Sequence, residues 1–299
     1  MNNAEKTRQP LVIIQRNPMS GSGRGRGELK KLIVHLRYLG FHVRMFSNRA
    51  RLDQHLATGL TNRDLRCIVA AGGDGTVADL VNRHPGVAIA ILPLGTENLL
   101  ARYIGVRRCG RRLAQMIDRG RIRVLDSAKV NGRRVLLMLS AGIDAEIVQA
   151  VHSARTGNIY RHRYVGPTLR AFFSNQPRVF TAIASDGSAS ISGSHLIVTN
   201  VPRYGFEIPF APNAKPDDGL LDVRAFHGTT RWQVFWHAFR LRIGLPIPDT
   251  DVTRFSAASV TIHCDEETRP APTQCDGDPG PLLPLSIEIV PRSLLLIVP

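Results

Sequence analysis

The stretch CIVAAGGDGTVADLVN, residues 67–82, decides the fold of the first half of the chain. Its first five residues form an apolar run that predicts a buried strand, whereas Val77, Leu80 and Val81 recur at helical spacing. The glycine cluster GGDGT, residues 72–76, lies between them. A strand that ends at glycines and continues as a helix presents backbone N–H groups and a positive dipole end to an anion. The stretch therefore predicts a phosphate-binding turn, with an ordinary glycine-rich turn as the alternative.

Asp74 stands inside this turn, where its carboxylate could serve a metal ion or an attacking hydroxyl group. Gly72, Gly73 and Gly75 have no Cβ atom, so the backbone can approach phosphate oxygens closely. The spacing matches neither the P-loop motif nor the GxGxxG motif of dinucleotide-binding folds. Those two common nucleotide motifs are therefore excluded here.

The first half of the chain alternates predicted strands with predicted helices. We expect strands at 11–14, 43–46, 67–71 and 87–92, with helices at 29–39, 52–60 and 99–104. Three of the strands run into polar, glycine-containing loops, namely NPMSGSG at 17–23, GGDGT at 72–76 and PLGTEN at 93–98. In a parallel α/β sheet such loops meet at the carboxyl edge of the strands. Their coincidence predicts one shared nucleotide crevice.

The chain carries a formal charge of +15, and most of it falls in the first half. Residues 1–128 contain 22 basic and 9 acidic side chains, and residues 102–123 contain eight arginines and one aspartate. A solvated basic face, a nucleic-acid patch and a surface for anionic lipid are the three explanations. Aromatic residues are not interleaved with the arginines and no nucleic-acid-binding motif accompanies them, so we expect no nucleic-acid partner.

The four cysteines form no CxxC pair, which indicates neither a disulfide framework nor a zinc site and favours a reducing cytoplasm. No apolar run approaches the roughly 20 residues of a membrane-spanning helix. The first residues contain no apolar segment of the kind found in secretion signals. We therefore expect a cytoplasmic protein of globular composition with room for two domains.

After about residue 128 the pattern changes to alternation of apolar and polar residues. An Asn-Gly pair at 131–132 predicts a hairpin, and further strands are expected at 179–184, 195–199, 221–225, 259–263 and 286–290. This predicts an antiparallel β domain, most simply a sandwich. Two helices interrupt it, at 156–174 and 229–244. The second carries both tryptophans on one aromatic face, which we expect to pack on the sheet, with insertion into a membrane interface as the alternative.

Five segments together resemble a known family: NPMSGSG, GGDGT, PLGTENLLAR, APNAKPDDGLLDV at 211–223 and CDGD at 275–278. Their order and sequence are similar to the signatures of the diacylglycerol kinase catalytic-domain superfamily. The closest likeness is to its soluble bacterial lipid kinases, which are relatives of sphingosine kinases and, more distantly, of NAD kinases. The resemblance implies a Rossmann-like parallel α/β nucleotide-binding domain at 9–128 and a C-terminal antiparallel β-sandwich at 129–290 for the lipid. It also implies that residues 291–299 form a strand that returns to the first domain.

The resemblance implies an ATP-dependent lipid kinase that requires Mg²⁺. Such an enzyme transfers the γ-phosphate to a hydroxyl group of a diacylglycerol-like, sphingoid or phosphatidylglycerol-like lipid, and it docks peripherally on an anionic membrane surface. Two alternatives stay open: a kinase-fold protein that binds nucleotide or lipid without turnover, and an NAD kinase. Neither the individual lipid nor the oligomeric state follows from the sequence.

The resemblance also assigns site residues. Asp74 would lie near the catalytic magnesium, Asp278 would be the base, and Asp126 would belong to the water network of the site. A further magnesium would be held by Asp218 with the backbone carbonyls of Lys215 and Leu220. The nucleotide would be bound by Asn17, Ser20, Gly21, Gly72, Gly73, Asp74, Gly75, Thr76 and Thr96.

Three acidic positions of the family pattern are changed in this chain. Asp278 replaces a glutamate and is one methylene shorter, which would set the base about 1.5 Å back. Asp79 stands where the glutamate of an Asn-Glu pair is usual, and Leu99 stands where the family has aspartate. Glu97, two residues before Leu99, is expected to supply the missing carboxylate. We expect these departures to lower catalytic efficiency.

Overall fold

A computed structural model of the 299-residue chain describes residues 9–18, 20, 25–58, 64–153, 178–205, 207–228, 230–266 and 270–299. The fold divides into two compact units. The first comprises Met1–Val124 together with Leu294–Pro299, and the second comprises Leu125–Ser293. Two strands cross this division, so the chain passes between the units without a separate linker.

The first unit alternates strands and helices, as the periodicity predicted. Its elements are β1 (Leu11–Arg16), α1 (Arg26–Tyr38), β2 (His42–Phe46), α2 (Arg49–Ala57), β3 (Leu65–Gly72), α3 (Asp74–Arg83), β4 (Ile89–Pro93), α4 (Leu99–Tyr103) and α5 (Gly110–Arg119). Helix α5 lies in the arginine-rich stretch and was not predicted. Its Gly110 packs against α1 so closely that a Cβ atom would lie 2.1 Å from the carbonyl oxygen of Glu28.

The sheet of the first unit is parallel, with β3 beside β1 on one side and β4 on the other, and with β2 outside β1. At the far edge Leu296 pairs in parallel with Ile89 of β4. Strands β1 and β4 and most of β3 are buried, as expected for strands covered on both faces by helices. This confirms the predicted parallel α/β domain and puts the loops after β1, β3 and β4 at one edge.

The second unit is built mainly of antiparallel strands. Its elements are β5 (Ile122–Val130, entering from the first unit), β6 (Arg133–Val135), β7 (Met138–Ala141), α6 (Ile143–Ser153), β8 (Phe180–Ala184), β9 (Ser190–Gly193), β10 (His195–Thr199), β11 (Leu221–Phe226), α7 (Arg231–Arg242), β12 (Val252–Ala257), β13 (Ser259–Cys264), β14 (Thr273–Cys275), β15 (Asp278–Pro279) and β16 (Leu285–Ile297, ending in the first unit).

Two antiparallel layers enclose the core of this unit. One has the order β12-β11-β10-β7-β14-β15, and the other contains β9, β8, β13 and the first half of β16. Apolar side chains from both layers, such as Val198, Val223, Ile262 and Ile287, form one buried cluster. The predicted C-terminal antiparallel β-sandwich is confirmed. The Asn-Gly hairpin is also present, with positive φ at Asn131 and Gly132.

The helix predicted at 229–244 is present as α7, but the prediction that its aromatic face packs on the sheet is wrong. Trp232, Trp236 and Phe239 are 67%, 53% and 44% exposed. The opposite side of the helix meets the sheet, where Leu241 is buried in a cluster with Phe226. The second predicted helix, at 156–174, lies outside the described residues. Among the helices that the structure describes, none combines the length and apolar composition needed to cross a bilayer.

Candidate functional site

The first predicted loop of the first unit is tied to the second directly after the strands end. The backbone N–H of Asn17 donates to the carbonyl of Ala71 at 3.1 Å, and the Asn17 side chain donates to Oγ1 of Thr76 at 3.3 Å. Ser20 follows in a turn in which its N–H donates to the Asn17 carbonyl at 3.2 Å. Gly21 lies outside the described residues. The structure thus brings Asn17, Ser20 and Thr76 into one loop cluster.

The second and third loops touch through glycines. The N–H groups of Leu94 and Gly95 both donate to the carbonyl of Gly72, at 2.8 and 3.2 Å. A Cβ atom on Gly95 would lie 2.5 Å from Cα of Gly73, and one on Gly72 would lie 2.1 Å from Oγ1 of Thr76. A side chain at Gly95 would therefore collide with the backbone of the second loop, and one at Gly72 would collide with the side chain of Thr76, which explains why both positions are glycine.

Asp74 is the first residue of α3, and its carboxylate binds the third loop. Oδ2 accepts from the N–H of Leu99 at 2.9 Å, and Oδ1 accepts from the N–H of Leu100 at 3.1 Å. Burial raises the pKa of Asp74 above its ordinary value of 3.8, the two backbone bonds oppose the rise, and the nearby charge of Glu97 adds to it. The carboxylate therefore has a structural task at the start of α4 besides any chemical one.

Asn98 and Arg108 belong to the same loop cluster and were not among the predicted site residues. Asn98 is buried with positive φ, and its side chain both accepts from the N–H of Gly95 and donates to the Gly95 carbonyl, each at 2.9 Å. Arg108 donates from Nε to the carbonyl of Pro93 at 2.8 Å. The position of Asn98 before a helix was a usable sequence signal. Nothing in the arginine-rich stretch distinguished Arg108 from its neighbours.

The other predicted residues of the first unit occupy different surroundings. Thr96 and Gly75 are exposed in their loops. Asp79, which replaces the usual glutamate of the family, forms ion pairs with Arg83 at 2.8 Å and with Arg49 at 3.3 Å. Glu97 is close enough to Asp74 for its charge to act on that carboxyl group. Asp79 is thus held in a surface ion-pair cluster, whereas Glu97 lies at the loop cluster.

In the second unit, Asp278 begins β15 immediately after a tight turn. Asp276 and Gly277 both have positive φ, and β14 and β15 pair across them with Cys275 opposite Asp278. Asp278 is partly buried. Among the described residues, no hydrogen-bond donor contacts its carboxylate. That carboxylate is therefore available to a ligand, unlike the carboxylate of Asp74.

Asp276 binds this turn to the segment 136–138 of the same chain. Its Oδ1 accepts from the N–H groups of Leu137 and Met138 at 2.8 and 3.1 Å, and its Oδ2 accepts from the N–H of Leu136 at 2.8 Å. Its own N–H donates to the Met138 carbonyl at 3.0 Å. Charge-assisted bonds of this kind are among the stronger hydrogen bonds in proteins. Asp276 thus fixes the backbone from which Asp278 projects.

A buried polar network supports the same turn. Gln274 accepts at Oε1 from the N–H of Gly277 at 2.8 Å and from the hydroxyl of Tyr204 at 3.0 Å. Its Nε2 donates to Oγ of Ser140 at 2.7 Å, and the Ser140 hydroxyl donates in turn to Asp144. Both polar atoms of the Gln274 side chain are therefore satisfied, which keeps the turn in one conformation.

Asp126 is a buried centre of hydrogen bonds in the second unit. Its two carboxylate oxygens accept from the N–H groups of Arg292 at 2.7 Å and Gly219 at 2.8 Å, and its own N–H donates to the carbonyl of Pro216 at 2.7 Å. The resemblance implied a role in a water network. The structure gives Asp126 a direct role in shaping loop 216–219.

The proposed metal loop contains Lys215, Asp218 and Leu220, all exposed. Oδ1 of Asp218 accepts from the N–H of Leu220 at 3.1 Å, and within the described residues Oδ2 has no protein partner. A carboxylate oxygen and backbone carbonyls are donors of the kind that Mg²⁺ prefers. The residues present therefore fit such an ion. In the described part of the chain no group of three His, Cys, Asp or Glu side chains could hold a metal.

Two family models match the chain. The diacylglycerol kinase catalytic domain matches residues 10–130, and the C-terminal NAD kinase β-sandwich-like domain of YegS matches residues 137–298. The chain belongs to the diacylglycerol kinase catalytic-domain superfamily. The first match lies in the first half of the chain, and the second covers most of the remainder.

Individual relatives agree with this assignment. The chain is 24% identical to a diacylglycerol kinase of Bacillus subtilis over 294 residues, which covers 95% of this chain and 94% of the relative. A crystal structure of a diacylglycerol kinase from Bacillus anthracis superimposes with a TM-score of 0.69 at 23% identity, covering 98% and 97% of the two chains. Yeast NADH kinase superimposes with a TM-score of 0.52 at 11% identity, covering 98% of this chain and 84% of that one. The two solved structures share the fold of this chain.

Proposed function

We propose that the protein transfers the γ-phosphate of ATP to a hydroxyl group of a diacylglycerol-like, sphingoid or phosphatidylglycerol-like lipid at a membrane surface. One observation carries this proposal: three glycine-containing loops of the first unit are bonded to one another at the carboxyl edge of a parallel sheet. Such an edge is where α/β folds bind nucleotides. The membership of the chain in a lipid kinase family supplies the class of acceptor.

The loop cluster supplies the nucleotide-binding groups. Helix α3 begins directly after the β3 turn, and the positive end of its dipole favours phosphate there. Gly72, Gly73 and Gly75 let the backbone approach the phosphate oxygens. We assign the remaining contacts with the nucleotide to Asn17, Ser20, Gly21, Thr76 and Thr96.

Asp278 is the proposed base. As the lipid hydroxyl oxygen bonds to the γ-phosphorus, its proton passes to the Asp278 carboxylate, the bond to the bridging oxygen breaks, and ADP leaves. The carboxylate suits this task because no described donor occupies it and because Asp276 holds its turn in place. The aspartate is shorter than the glutamate of the family, so the backbone at Asp276 and Gly277 must set its reach.

A magnesium ion would neutralise charge on the phosphates when bound. Asp74 lies at the phosphate turn, while Asp218 and the carbonyls of Lys215 and Leu220 offer a second set of oxygen donors. The protein groups need only present these oxygens, because phosphoryl transfer depends on positioning and charge neutralisation.

The basic first half of the chain supports peripheral docking on anionic lipid. Arg102, Arg107, Arg111, Arg112 and Arg119 are exposed on α4, α5 and the segment between them. Each basic residue near an anionic surface contributes about 1 kcal/mol. A membrane-bound acceptor would thereby be reached from the cytoplasmic face.

The test is transfer of labelled phosphate from ATP to a panel of lipids in mixed micelles, with magnesium and with NAD as a competing acceptor. We expect a labelled lipid from the wild type and none from Asp278→Asn. The matched control is Asp186→Asn, an exposed aspartate in the β8–β9 hairpin, which should leave transfer unchanged. Labelling of NAD instead of lipid would overturn the proposal in favour of an NAD kinase. ATP binding without transfer to any acceptor would establish a non-catalytic protein.

A further inference from the structure

Helix α7 has an apolar face turned to solvent. Trp232, Trp236, Phe239 and Ile243 follow one another at the spacing of a single helical face and are 44–67% exposed. The Trp236 and Phe239 rings stack on each other with centroids 5.5 Å apart. Leu245, just after the helix, is 46% exposed as well. These five residues define the outer face of α7. A contiguous aromatic patch of this kind is unusual on a soluble monomer and marks an interaction site.

The outer face of α7 is not needed for core packing, because the opposite, inner side of the helix packs on the sheet. His237 and Leu241 are 4% and 8% exposed, and His237 lies 3.2 Å from the carboxylate of Asp251. A capping box between Thr230 and Gln233 begins the helix. The start of the helix is therefore capped and its inner side is packed, which leaves the outer face to solvent.

The charged side chains in the sequence around the outer face are all positive. The sequence from 223 to 248 contains four arginines and no acidic residue. Arg242 is exposed at the end of α7, and Arg240 donates to the Pro246 carbonyl at 2.9 Å. The next acidic side chains already have partners, since Asp249 pairs with Arg254 at 3.1 Å and Asp251 with His237. The surroundings thus favour an anionic partner.

We propose that the outer face of α7 inserts into the headgroup region of an anionic bilayer and anchors the second unit to it. Tryptophan prefers the boundary between water and acyl chains, and arginine beside it can bind lipid phosphates. A second copy of the chain fits less well. A symmetric contact would bring Arg240 and Arg242 of two positively charged faces against each other. Binding through this face is separate from the proposed phosphotransfer, so either can fail alone.

Intrinsic fluorescence tests the proposal directly, because the chain contains only two tryptophans and both lie on this face. The full-length protein is titrated with phosphatidylcholine vesicles containing about 30 mol% phosphatidylglycerol, a composition with a negative surface potential. We expect a blue shift of the emission, quenching by brominated acyl chains, and co-sedimentation of the protein with the vesicles. Vesicles of phosphatidylcholine alone should bind more weakly.

Variants assign the signal to residues. Trp232→Ser with Trp236→Ser should weaken vesicle binding at least about 10-fold, and Arg242→Gln about 3-fold, while the circular dichroism spectrum is unchanged. Tyr38→Ser is the matched control, since Tyr38 is 87% exposed on α1 of the first unit, and it should bind like the wild type. For the single variants Trp232→Phe and Trp236→Phe, the remaining tryptophan should still be quenched.

Three results would overturn the proposal. The first is co-sedimentation with unshifted and unquenched tryptophan emission, which would assign docking to the basic first unit. The second is no binding to anionic vesicles by a folded protein. The third is a blue shift that depends on protein concentration in the absence of lipid, which would identify the outer face as a contact between two copies. Loss of phosphotransfer with intact vesicle binding would contradict the proposed function and leave this inference standing.

Discussion

The two aspartates assigned to catalysis occupy opposite environments. Both oxygens of Asp74 accept backbone N–H groups at the start of α4, and burial raises its pKa. Asp278 begins β15 with no described donor at its carboxylate, and Asp276 carries the hydrogen bonds of its turn instead. In the first unit Asp74 alone both binds the third loop and offers a carboxylate at the phosphate turn. In the second unit these two tasks fall to two neighbouring residues.

This difference predicts how each site responds to mutation. Removing a carboxylate that accepts structural hydrogen bonds lowers stability. Removing a carboxylate without protein partners changes only the chemistry. Asp278 should therefore separate activity from stability more cleanly than Asp74.

The largest effect is expected for Asp278→Asn. Loss of a general base lowers the rate of phosphotransfer about 100- to 10,000-fold. The free energy of unfolding should change by less than about 0.5 kcal/mol, because no described hydrogen bond is lost. Labelled-phosphate transfer and urea unfolding measure the two quantities. A large loss of stability would show that Asp278, like Asp74, has a structural partner.

Asp74→Asn should affect both properties. The amide offers one acceptor to two backbone donors, so we expect about 1 kcal/mol lower stability at pH 7 and roughly 100-fold slower transfer. Full stability with slow transfer would show that the bonds to Leu99 and Leu100 contribute nothing measurable.

The pH dependence of stability gives a second test of Asp74. Because its folded pKa is raised above 3.8, the folded state binds the proton more tightly than the unfolded state. The contribution to stability is complete below that ordinary value and is lost as pH rises through the raised pKa. The stability advantage of the wild type over Asp74→Asn should therefore shrink with rising pH across this window. An advantage that grows with pH would contradict the assigned direction.

Asp276→Asn should have a smaller effect on activity. Its side chain positions Asp278 without touching a substrate, so we expect kcat to fall about 10-fold while KM for ATP stays the same. The amide oxygen can keep the bonds from Leu137 and Met138, but the N–H of Leu136 would lose its acceptor, which should also lower stability by about 1 kcal/mol. Asp186→Asn is again the matched control. An equal rise in KM for ATP would indicate a general structural defect.

The smallest effect is expected for Glu97→Ala. Its charge contributes to the raised pKa of Asp74, so removing it should lower that pKa and reduce transfer about 3-fold. Glu97→Gln should behave similarly, because it also removes the charge. Unimpaired transfer in both variants would show that Glu97 does not replace the carboxylate missing at Leu99.

Much of the candidate site could be predicted from local sequence. The glycine-rich loops after β1, β3 and β4 were recognisable because a strand ending in glycines has few alternative structures. The bonds of Asp74 to the N–H groups of Leu99 and Leu100 could not be predicted, because they join residues 25 and 26 positions apart. The same holds for Asp276 and Asp126, whose partners lie 93 to 166 positions away in sequence.

Periodicity alone determined the alternation of strands and helices, the change to an antiparallel domain and the order of the loops, because hydrophobic spacing follows from the geometry of each element. Only the tertiary structure decided which face of α7 is buried. Apolar residues lie on both sides of that helix, so the sequence pattern offers two candidates. In the structure the side that carries His237 and Leu241 packs on the sheet, and both tryptophans on the other side are exposed.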